Sequence, residues 1–295
     1  MISAAAAAAA VAVVAGVAAA RRKRPAGVAL PGGRAVVTGA SAGIGEEFAR
    51  QLAAAGFDLT LVARREERLA ALAAELSAAH GIRAEVRAAD LSRDEDISAL
   101  AGYLAQLPDL VLLVNNAGFG TRGSFTEVPL ERTLDMIRVH VTASVTLSRA
   151  ALLGMLPRRQ GAIINVSSVA AFFPSGGGAT YGATKAYLNA FSEALAAEVK
   201  DAGIKVQALC PGFTATEFHT VGDYQGFDRA TIPALVWMPA SDVVAESLAA
   251  LAGDRVIVVP GAKYRAIVAS GNSPLGGSIR RAARAIRQRW RGGDH

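Results

Sequence analysis

The sequence predicts an α/β fold built on a doubly wound, parallel, seven-stranded sheet within a single domain. Short runs rich in Val, Ile and Leu alternate with longer stretches of helical periodicity. The runs are apolar throughout, which is typical of parallel strands covered by helices on both faces. A glycine-rich turn follows the first run and opens the first helix. Folds of this kind bind ligands at the carboxyl edge of the sheet.

The predicted strands and helices follow one another in the order that a parallel sheet requires, because each right-handed crossover places a helix between two strands. The strands are expected at 34–38, 58–63, 82–88, 110–114, 162–166, 204–209 and 255–259. The helices are expected at 43–55, 65–79, 130–156, 181–202 and 241–252. These elements define a body at residues 33–260, preceded by a segment at 1–24 and followed by a tail at 261–295.

Composition excludes several classes of protein. The chain is 52% hydrophobic and 19% charged, enough to bury a full core. A single cysteine, Cys210, excludes a disulfide framework, and the four histidines lack ligand spacing, so no metal site is expected. The net charge of +6 comes from the ends: residues 1–34 carry five basic residues and no acidic one, and residues 262–295 carry eight and one. The stretch between them has 18 basic and 24 acidic residues. We therefore expect no nucleic-acid partner, and basic ends that fit an anionic membrane surface.

The N-terminal segment is long and apolar enough to cross a membrane. Residues 2–20 are uncharged, would form about 28 Å of helix, and are followed at once by the basic run 21–24. As an anchor, it would leave the body cytoplasmic and tethered to the cytoplasmic face. Two alternatives stay open: a cleaved signal peptide, or an Ala-rich extension from a misassigned start codon.

The C-terminal tail carries an amphipathic pattern. Residues 278–291 place Ile279, Ile286 and Trp290 on one stripe, with arginines on the remaining surface. This pattern is typical of a helix lying on an anionic membrane. The alternatives are a frayed tail or a terminal helix that packs its stripe on the body.

The glycine-rich turn predicts a phosphate-binding site. Gly39, Gly43 and Gly45 let the backbone turn tightly where a helix N-terminus offers free N–H groups. The second strand ends in Arg64 without the acidic residue that would favour NAD. Arg64 can bind a 2′-phosphate and Ser41 can contact it, so the expected cofactor is NADP(H). Alternatively, Arg64 is only a solvent-exposed residue at the start of a helix. In either case Arg65 is expected to be exposed to solvent.

A second pattern predicts acid–base chemistry. Tyr181 and Lys185 lie four residues apart on a predicted helix and therefore share a face. An ammonium beside a phenol lowers the pKa of the phenol and makes it an effective proton donor. Ser168 follows the fifth strand, where its hydroxyl can hydrogen-bond a substrate carbonyl.

These motifs, in this order, resemble the short-chain dehydrogenase/reductase family and its Rossmann fold, over residues 33–260. The resemblance rests on Thr38–Gly45 (TGASAGIG), Asp90-Leu91, the NNAG run at 115–118, Ser168, Tyr181-x-x-x-Lys185 and Pro211-Gly212. It implies a catalytic set of Ser168, Tyr181 and Lys185, with Lys185 also on the nicotinamide ribose, and a homodimer or homotetramer. It further implies that Asp90 binds the adenine and that Asn115 holds the sheet. The implied cofactor-binding residues are Gly39, Ser41, Gly43, Ile44, Gly45, Arg64, Asp90, Leu91, Asn116, Ala117, Gly118, Tyr181, Lys185, Pro211, Gly212 and Thr216.

The chain departs from the family pattern at His140. Relatives usually carry an asparagine there, which holds a water that links the lysine to solvent. A histidine can also hydrogen-bond water, so we expect His140 to belong to the catalytic set and His140→Asn to keep activity. The alternative is a helix histidine satisfied by backbone carbonyls.

The segment between Pro211 and Pro239 is rich in aromatic residues, namely Phe213, Phe218, Tyr224, Phe227 and Trp237. With Phe172 and Phe173 they would line an apolar substrate pocket, or would only pack this segment onto the body. The expected function is NADP(H)-dependent hydride transfer between nicotinamide and a carbonyl or secondary alcohol, with an apolar ketone or acyl compound as substrate. The alternative is an NADP(H)-binding sensor or membrane-tethered scaffold without turnover.

Overall fold

The computed structural model describes residue 30 and residues 32–174, 176–219 and 233–271. Several sequence-based predictions concern residues outside these ranges. They are the N-terminal segment 1–24, the helix at 278–291, and the aromatic residues Tyr224 and Phe227.

Seven parallel strands form the central sheet in the order β3-β2-β1-β4-β5-β6-β9, which confirms the predicted fold. The order reverses between β1 and β4, and a crevice opens at such a reversal, above the carboxyl ends of the strands. β4 and β5 are buried at every position, including the one asparagine that each strand contains. The strands are β1 (Arg34–Thr38), β2 (Asp58–Ala63), β3 (Ala84–Ala88), β4 (Leu110–Asn115), β5 (Gly161–Val166), β6 (Ile204–Leu209) and β9 (Ile257–Val258). β7 (Thr214–Ala215) and β8 (Met238–Pro239) pair with each other in a small second sheet.

Helices cover both faces of the sheet. They are α1 (Gly43–Ala54), α2 (Glu66–His80), α3 (Asp94–Gln106), α4 (Leu130–Ile137), α5 (Ala143–Arg158), α6 (Ala179–Val199), α7 (Ala240–Ala250) and α8 (Ala262–Gly271). One core lies under α1, α2 and α7, where Phe48, Leu69 and Val243 are buried. The other lies under α3, α5 and α6, where Leu104 and Leu147 are buried.

Two helices correct the prediction. No helix is expected between β3 and β4 from the sequence, but the structure has α3 there, with the apolar stripe Ile97, Leu100 and Leu104 buried. The predicted body ends at residue 260, but α8 continues it to residue 271. Tyr264 and Val268 of α8 are buried against the rest of the chain, so this part of the tail belongs to the body.

The helix predicted at 130–156 is continuous over residues 130–158 but changes its winding in the middle. Residues Arg138–Thr142 form a π-helical turn between α4 and α5. Among the described residues, this is the single helix long and apolar enough to cross a membrane. On its inner face, Leu147, Ala151 and Met155 are buried in the core, whereas other apolar side chains of the same helix, including Leu130 and Leu153, are exposed. Burial in the core therefore accounts for part of its hydrophobicity.

Candidate active site

The glycine-rich turn after β1 has no room for side chains. Gly39 and Gly43 adopt left-handed φ angles of 67° and 62°. A Cβ on Gly45 would lie 2.3 Å from the carbonyl oxygen of Gly39. The N-cap of α1, Ala42, offers no side-chain hydrogen bond to the helix start. Tight backbone packing and an uncapped helix N-terminus together fit a phosphate group.

The NNAG run braces this turn from the neighbouring strand. The hydroxyl of Thr38 accepts hydrogen bonds from the backbone N–H groups of Asn116 and Ala117, both at 3.0 Å. The amide of Asn116 donates to the carbonyl oxygens of Thr38 and Gly39, at 2.9 and 3.3 Å. Asn116 therefore shapes the glycine turn from one side. The contribution of the Thr38 hydroxyl was not anticipated, because it depends on the pairing of β1 with β4.

Asn115 holds the sheet together, as the resemblance implies. Its amide donates to Asn165 at 2.9 Å and to Ser148 at 3.1 Å, and the side chain is buried. Asn165 in turn donates to Ser192 at 2.9 Å. These bonds tie β4, β5, α5 and α6 together beneath the crevice.

Two arginines flank the end of β2, and they differ from expectation. Arg65 is half-exposed, but it donates to the Ser41 hydroxyl at 3.0 and 3.1 Å. It also forms an ion pair with Glu217 at 3.2 Å, and Arg68 pairs with the same carboxylate at 2.9 Å. Arg65, expected to be solvated, therefore contacts the phosphate-binding turn. Arg64 is exposed and acts electrostatically on Asp90.

Asp90 and Leu91 lie beyond β3. The Asp90 carboxylate accepts hydrogen bonds from the backbone and the hydroxyl of Ser92, at 3.0 and 2.8 Å. Burial opposes ionisation of Asp90, but these bonds and the charge of Arg64 keep its pKa below the usual value. Leu91 is buried in the core under α3. The arrangement presents an ionised acceptor near Arg64.

Lys185 is the buried charge of the site. Its side chain is 5% exposed, and its Nζ donates to the carbonyl oxygen of Val166 at 2.8 Å. Burial lowers the pKa of Lys185 to about 7. Its Nζ lies 5.7 Å from the centroid of the Tyr181 ring. The predicted phenol–ammonium pair is therefore brought together at the carboxyl end of β5.

Ser168 lies on the element that packs beside this pair. It is the N-cap of the short helix Val169–Phe172, and its Oγ accepts a hydrogen bond from the N–H of Ala170 at 3.1 Å. The hydroxyl hydrogen can therefore still be donated. A Cβ on Gly182 of α6 would lie 3.7 Å from the carbonyl oxygen of Ala170. Ser167, which sequence reasoning missed, donates to the carbonyl oxygen of Lys185 at 2.8 Å and ties β5 to α6.

His140 has different partners from those expected. Its Nε2 accepts a hydrogen bond from the N–H of Phe119 at 3.1 Å, and its Nδ1 lies 2.9 Å from the hydroxyl of Thr184. Both ring nitrogens are thus engaged by protein groups, and neither partner is a carbonyl. Burial, together with the charge of Lys185, holds the pKa of His140 well below its usual value. The histidine is therefore neutral.

The segment after β6 closes the other side of the crevice. The carbonyl oxygen of Pro211 accepts a hydrogen bond from Val169 at 2.9 Å. Gly212 lies under the ring of Tyr264, where a Cβ would be 2.0 Å from the ring. Thr216 contacts Gly43, because a Cβ on that glycine would lie 3.0 Å from the Cβ of Thr216. Thr216 is thus placed at the phosphate-binding turn.

One aromatic side chain from this segment, that of Phe218, lies near Tyr181. The ring of Phe218 lies 6.3 Å from that of Tyr181. Phe213 and Trp237 form an edge-on pair at 5.4 Å. The Phe218 ring therefore provides apolar surface beside Tyr181. The described residues contain no cluster of His, Cys, Asp or Glu that could hold a metal ion.

Comparisons with known proteins agree with this geometry. A family model described as short chain dehydrogenase matches residues 34–223. The chain is 36% identical over 204 residues to a very-long-chain 3-oxoacyl-CoA reductase of Anas platyrhynchos, covering 68% of this chain and 65% of that protein. It is 39% identical over 193 residues to a serine 3-dehydrogenase of Rhizobium radiobacter, covering 64% and 75%. A solved short-chain dehydrogenase from Sphingobium yanoikuyae in complex with NADPH is 34% identical, with a TM-score of 0.74, covering 81% of this chain and 93% of that one. The chain spans less than two thirds of the length of the 3-oxoacyl-CoA reductases it matches.

Proposed function

The chain belongs to the short-chain dehydrogenase/reductase family, and from that premise we propose that it is an NADP(H)-dependent oxidoreductase acting on a carbonyl or secondary alcohol. The observation that supports this proposal most directly is the buried Lys185 amine, 5.7 Å from the Tyr181 ring at the carboxyl edge of the sheet. A buried lysine with a lowered pKa, beside an acid–base group in a crevice, is typical of a functional site.

Each residue of the catalytic set has a distinct role in the proposed reduction. The bound cofactor supplies the hydride. Tyr181 donates the proton to the carbonyl oxygen, and the Lys185 ammonium stabilises the phenolate that remains. Ser168 donates its hydroxyl hydrogen to the same oxygen, where negative charge develops. Solvent returns the proton to Tyr181 after the alcohol leaves.

The preference for NADP(H) is supported by the groups around the end of β2. Arg64 and Arg65 provide two positive charges there, and Arg65 is already oriented on Ser41. A guanidinium binds a phosphate in a bidentate manner, whereas the carboxylate that would bind a ribose 2′-hydroxyl is absent from Val62-Ala63-Arg64-Arg65. Glu217 pairs with Arg65 and would compete with a 2′-phosphate for it.

We infer that the substrate is an apolar ketone or acyl compound. Phe218 beside Tyr181, and the Phe213–Trp237 pair, provide apolar surface where a substrate would approach. A relative named for 3-oxoacyl-CoA reduction supports this class. A relative named for serine oxidation represents the polar alternative.

The proposal extends to location and assembly. An enzyme for apolar substrates would benefit from tethering to the cytoplasmic face of a membrane through its basic ends. A homodimer or homotetramer is supported by apolar side chains exposed on α4 and α6. They are Leu130, Leu134, Ile137 and Tyr187.

A pair of tyrosine variants on one helix tests the proposal. We expect the purified protein to consume NADPH with long-chain ketones faster than with short polar ones. Tyr181→Phe should lower turnover by at least about a hundredfold and leave the Kd for NADPH unchanged, since the phenol serves the chemical step. Tyr187→Phe, an exposed position on the same helix, should keep full activity.

Two results would count against the proposal. Faster turnover of the polar set would refute the apolar substrate class. Binding of NADPH without turnover of any carbonyl compound would instead favour the sensor alternative.

A further inference from the structure

We propose that His140 is a positioning residue, which holds the first turn of α6, and with it Tyr181, through a directed chain of hydrogen bonds that passes through Thr184. The inference rests on the proposed function, because Tyr181 is the proposed proton donor. It assigns to His140 a role different from that of a water ligand.

The π-helical turn directs His140 inward. Arg138–Thr142 has the wider winding of a π-helix, and such turns are frequently found at functional sites. The His140 side chain is 1% exposed. Its ring meets the rings of Tyr181 and Phe119 at 5.8 and 6.1 Å. The histidine therefore lies between the catalytic helix and the chain that follows β4.

The protonated nitrogen of the ring is determined by its partners. The N–H of Phe119 donates to Nε2, so Nε2 carries no hydrogen. The Thr184 hydroxyl donates its one hydrogen to the carbonyl oxygen of Tyr181 at 2.9 Å, so it must accept from Nδ1 at 2.9 Å. Both conditions require the same neutral tautomer, with the hydrogen on Nδ1. The chain thus runs in one direction, from Phe119 through His140 and Thr184 to the backbone of Tyr181.

This chain joins two parts of the site that are far apart in sequence. Phe119 directly follows the NNAG run, and Tyr181 lies in the first turn of α6, which begins at Ala179. A Cβ on Gly118 would lie 2.8 Å from the His140 Nε2 and 3.7 Å from the Lys185 Nζ. A side chain at position 118 would therefore clash with the His140 ring and approach the Lys185 amine, and glycine avoids both contacts.

The chain matters because proton transfer is sensitive to small displacements. A helix end is held by few hydrogen bonds of its own, so the first turn of α6 depends on outside contacts. A Thr hydroxyl bonded to a carbonyl within its own turn fixes that carbonyl, and His140 fixes the hydroxyl. Misplacement of a reacting group by about 1 Å costs on the order of a hundredfold in rate.

A matched pair of threonine variants tests the proposal. Thr184→Val keeps the shape of the side chain and removes the hydroxyl, whereas Thr184→Ser keeps the hydroxyl. We expect Thr184→Val to lower kcat about tenfold to a hundredfold with little change in KM. Thr184→Ser should keep kcat near the wild-type value. His140→Phe should cost a similar factor. The double variant His140→Phe/Thr184→Val should be no slower than the slower single variant, because both remove one chain.

A titration without substrate gives a readout independent of turnover. Among the residues that the structure describes, the titratable side chains of Lys185, on the same helix, and His140, on the π-helical turn, lie near the Tyr181 ring. The phenol absorbance at 295 nm, taken as the difference from Tyr181→Phe, reports ionisation of Tyr181. We expect its midpoint to move away from the wild-type value in Thr184→Val and His140→Phe, because the ring changes its position relative to Lys185 and its buried surroundings, and to stay in place in Thr184→Ser.

The outcomes separate this inference from the proposed function. If no carbonyl compound is turned over but the titration midpoint shifts as expected, the function proposed above fails and the positioning role stands. Full activity and an unshifted midpoint in Thr184→Val would overturn the positioning role. A lower Tm of Thr184→Val and His140→Phe, with kcat and the Tyr181 titration midpoint unchanged, would also overturn it, because His140 would then only pack the core.

Discussion

The buried charge of Lys185 should lower the stability of the protein in a pH-dependent manner. Burial brings the pKa of Lys185 from 10.5 to about 7. Below pH 7 the amine is charged in both the folded and the unfolded state, and the folded state then bears a penalty of about 5 kcal/mol. Between pH 7 and about 10.5, the unfolded state binds the proton that the folded state has released. Stability therefore rises with pH across this window.

Replacement of Lys185 by Met should remove this dependence. The linkage relation gives a penalty of about 5 kcal/mol at pH 6.5 and about 2 kcal/mol at pH 9. Loss of the hydrogen bond to Val166 costs about 1.5–3 kcal/mol. We therefore expect Lys185→Met to be about 2 kcal/mol more stable than the wild type at pH 6.5 and equally stable near pH 9.

Denaturant unfolding of the cofactor-free protein at half-unit intervals between pH 6.5 and 9 measures this difference. The matched control is Lys205→Met, which removes a half-exposed lysine paired with Asp254, and whose effect should not vary across this range. The decisive quantity is the change of about 2–3 kcal/mol in the stability difference between the two ends of the range. Parallel stability curves for wild type and Lys185→Met would refute the reasoning, because they would mean that burial does not displace the lysine's titration.

Three further predictions concern cofactor binding. Arg65→Ala should weaken NADPH binding about tenfold or more and leave NADH binding nearly unchanged, because it removes the charge-assisted contact proposed for the 2′-phosphate. Fluorescence titration of both coenzymes measures this, and equal losses for both would contradict the prediction. Glu217→Gln should tighten NADPH binding by about threefold, since the carboxylate no longer competes for Arg65 and Arg68. Calorimetric titration measures the Kd, and weaker binding would contradict the prediction. Gly45→Ala should abolish NADPH binding and lower the Tm, because its Cβ would lie 2.3 Å from the Gly39 carbonyl oxygen. The control is Gly102→Ala, whose Cβ would have no atom within 4 Å, and which should raise the Tm slightly and retain binding.

The sheet could be predicted from the sequence because its strands are buried on both faces. The bounds of β1, β2 and β6 match the apolar runs, since these strands lie within the sheet and pair along their whole length. At the edge, β9 was expected at 255–259, but only Ile257 and Val258 pair with β6. An edge strand is delimited by its one neighbour rather than by its own composition.

The missed helix α3 shows where periodicity fails. Its buried stripe consists of Ile97, Leu100 and Leu104, and alanines and Gly102 dilute the pattern between them. The acidic first turn, with Asp94, Glu95 and Asp96, was the signal that could have identified it, because such residues favour a helix N-terminus.

In the candidate site, too, some residues could be predicted from the sequence and others could not. The spacing of Tyr181 and Lys185 predicted that the two side chains share a helix face, and the structure brings them together. Residues that act through tertiary contacts could not be predicted, because Thr184 matters only where a π-helical turn brings His140 to it. Arg64 and Arg65 are adjacent in sequence, and no pattern indicates which of them contacts Ser41.

The location of the polar residues suggests why substrate preference can differ widely among proteins with this site. Ser168, Tyr181 and Lys185 stand at the end of a fully buried strand and at the start of a long helix, with Lys185 anchored to the Val166 carbonyl. Phe218, which lies beside Tyr181, comes instead from the segment after β6, where two short strands of two residues each are found. Under the proposed function, we expect changes in that segment to alter substrate binding without moving the proposed proton donor, because the two are held by different elements. Substitutions at Phe213 and Phe218 should therefore shift KM between ketones while the pH profile of kcat stays in place, and a displaced profile would show that the two parts of the site are coupled.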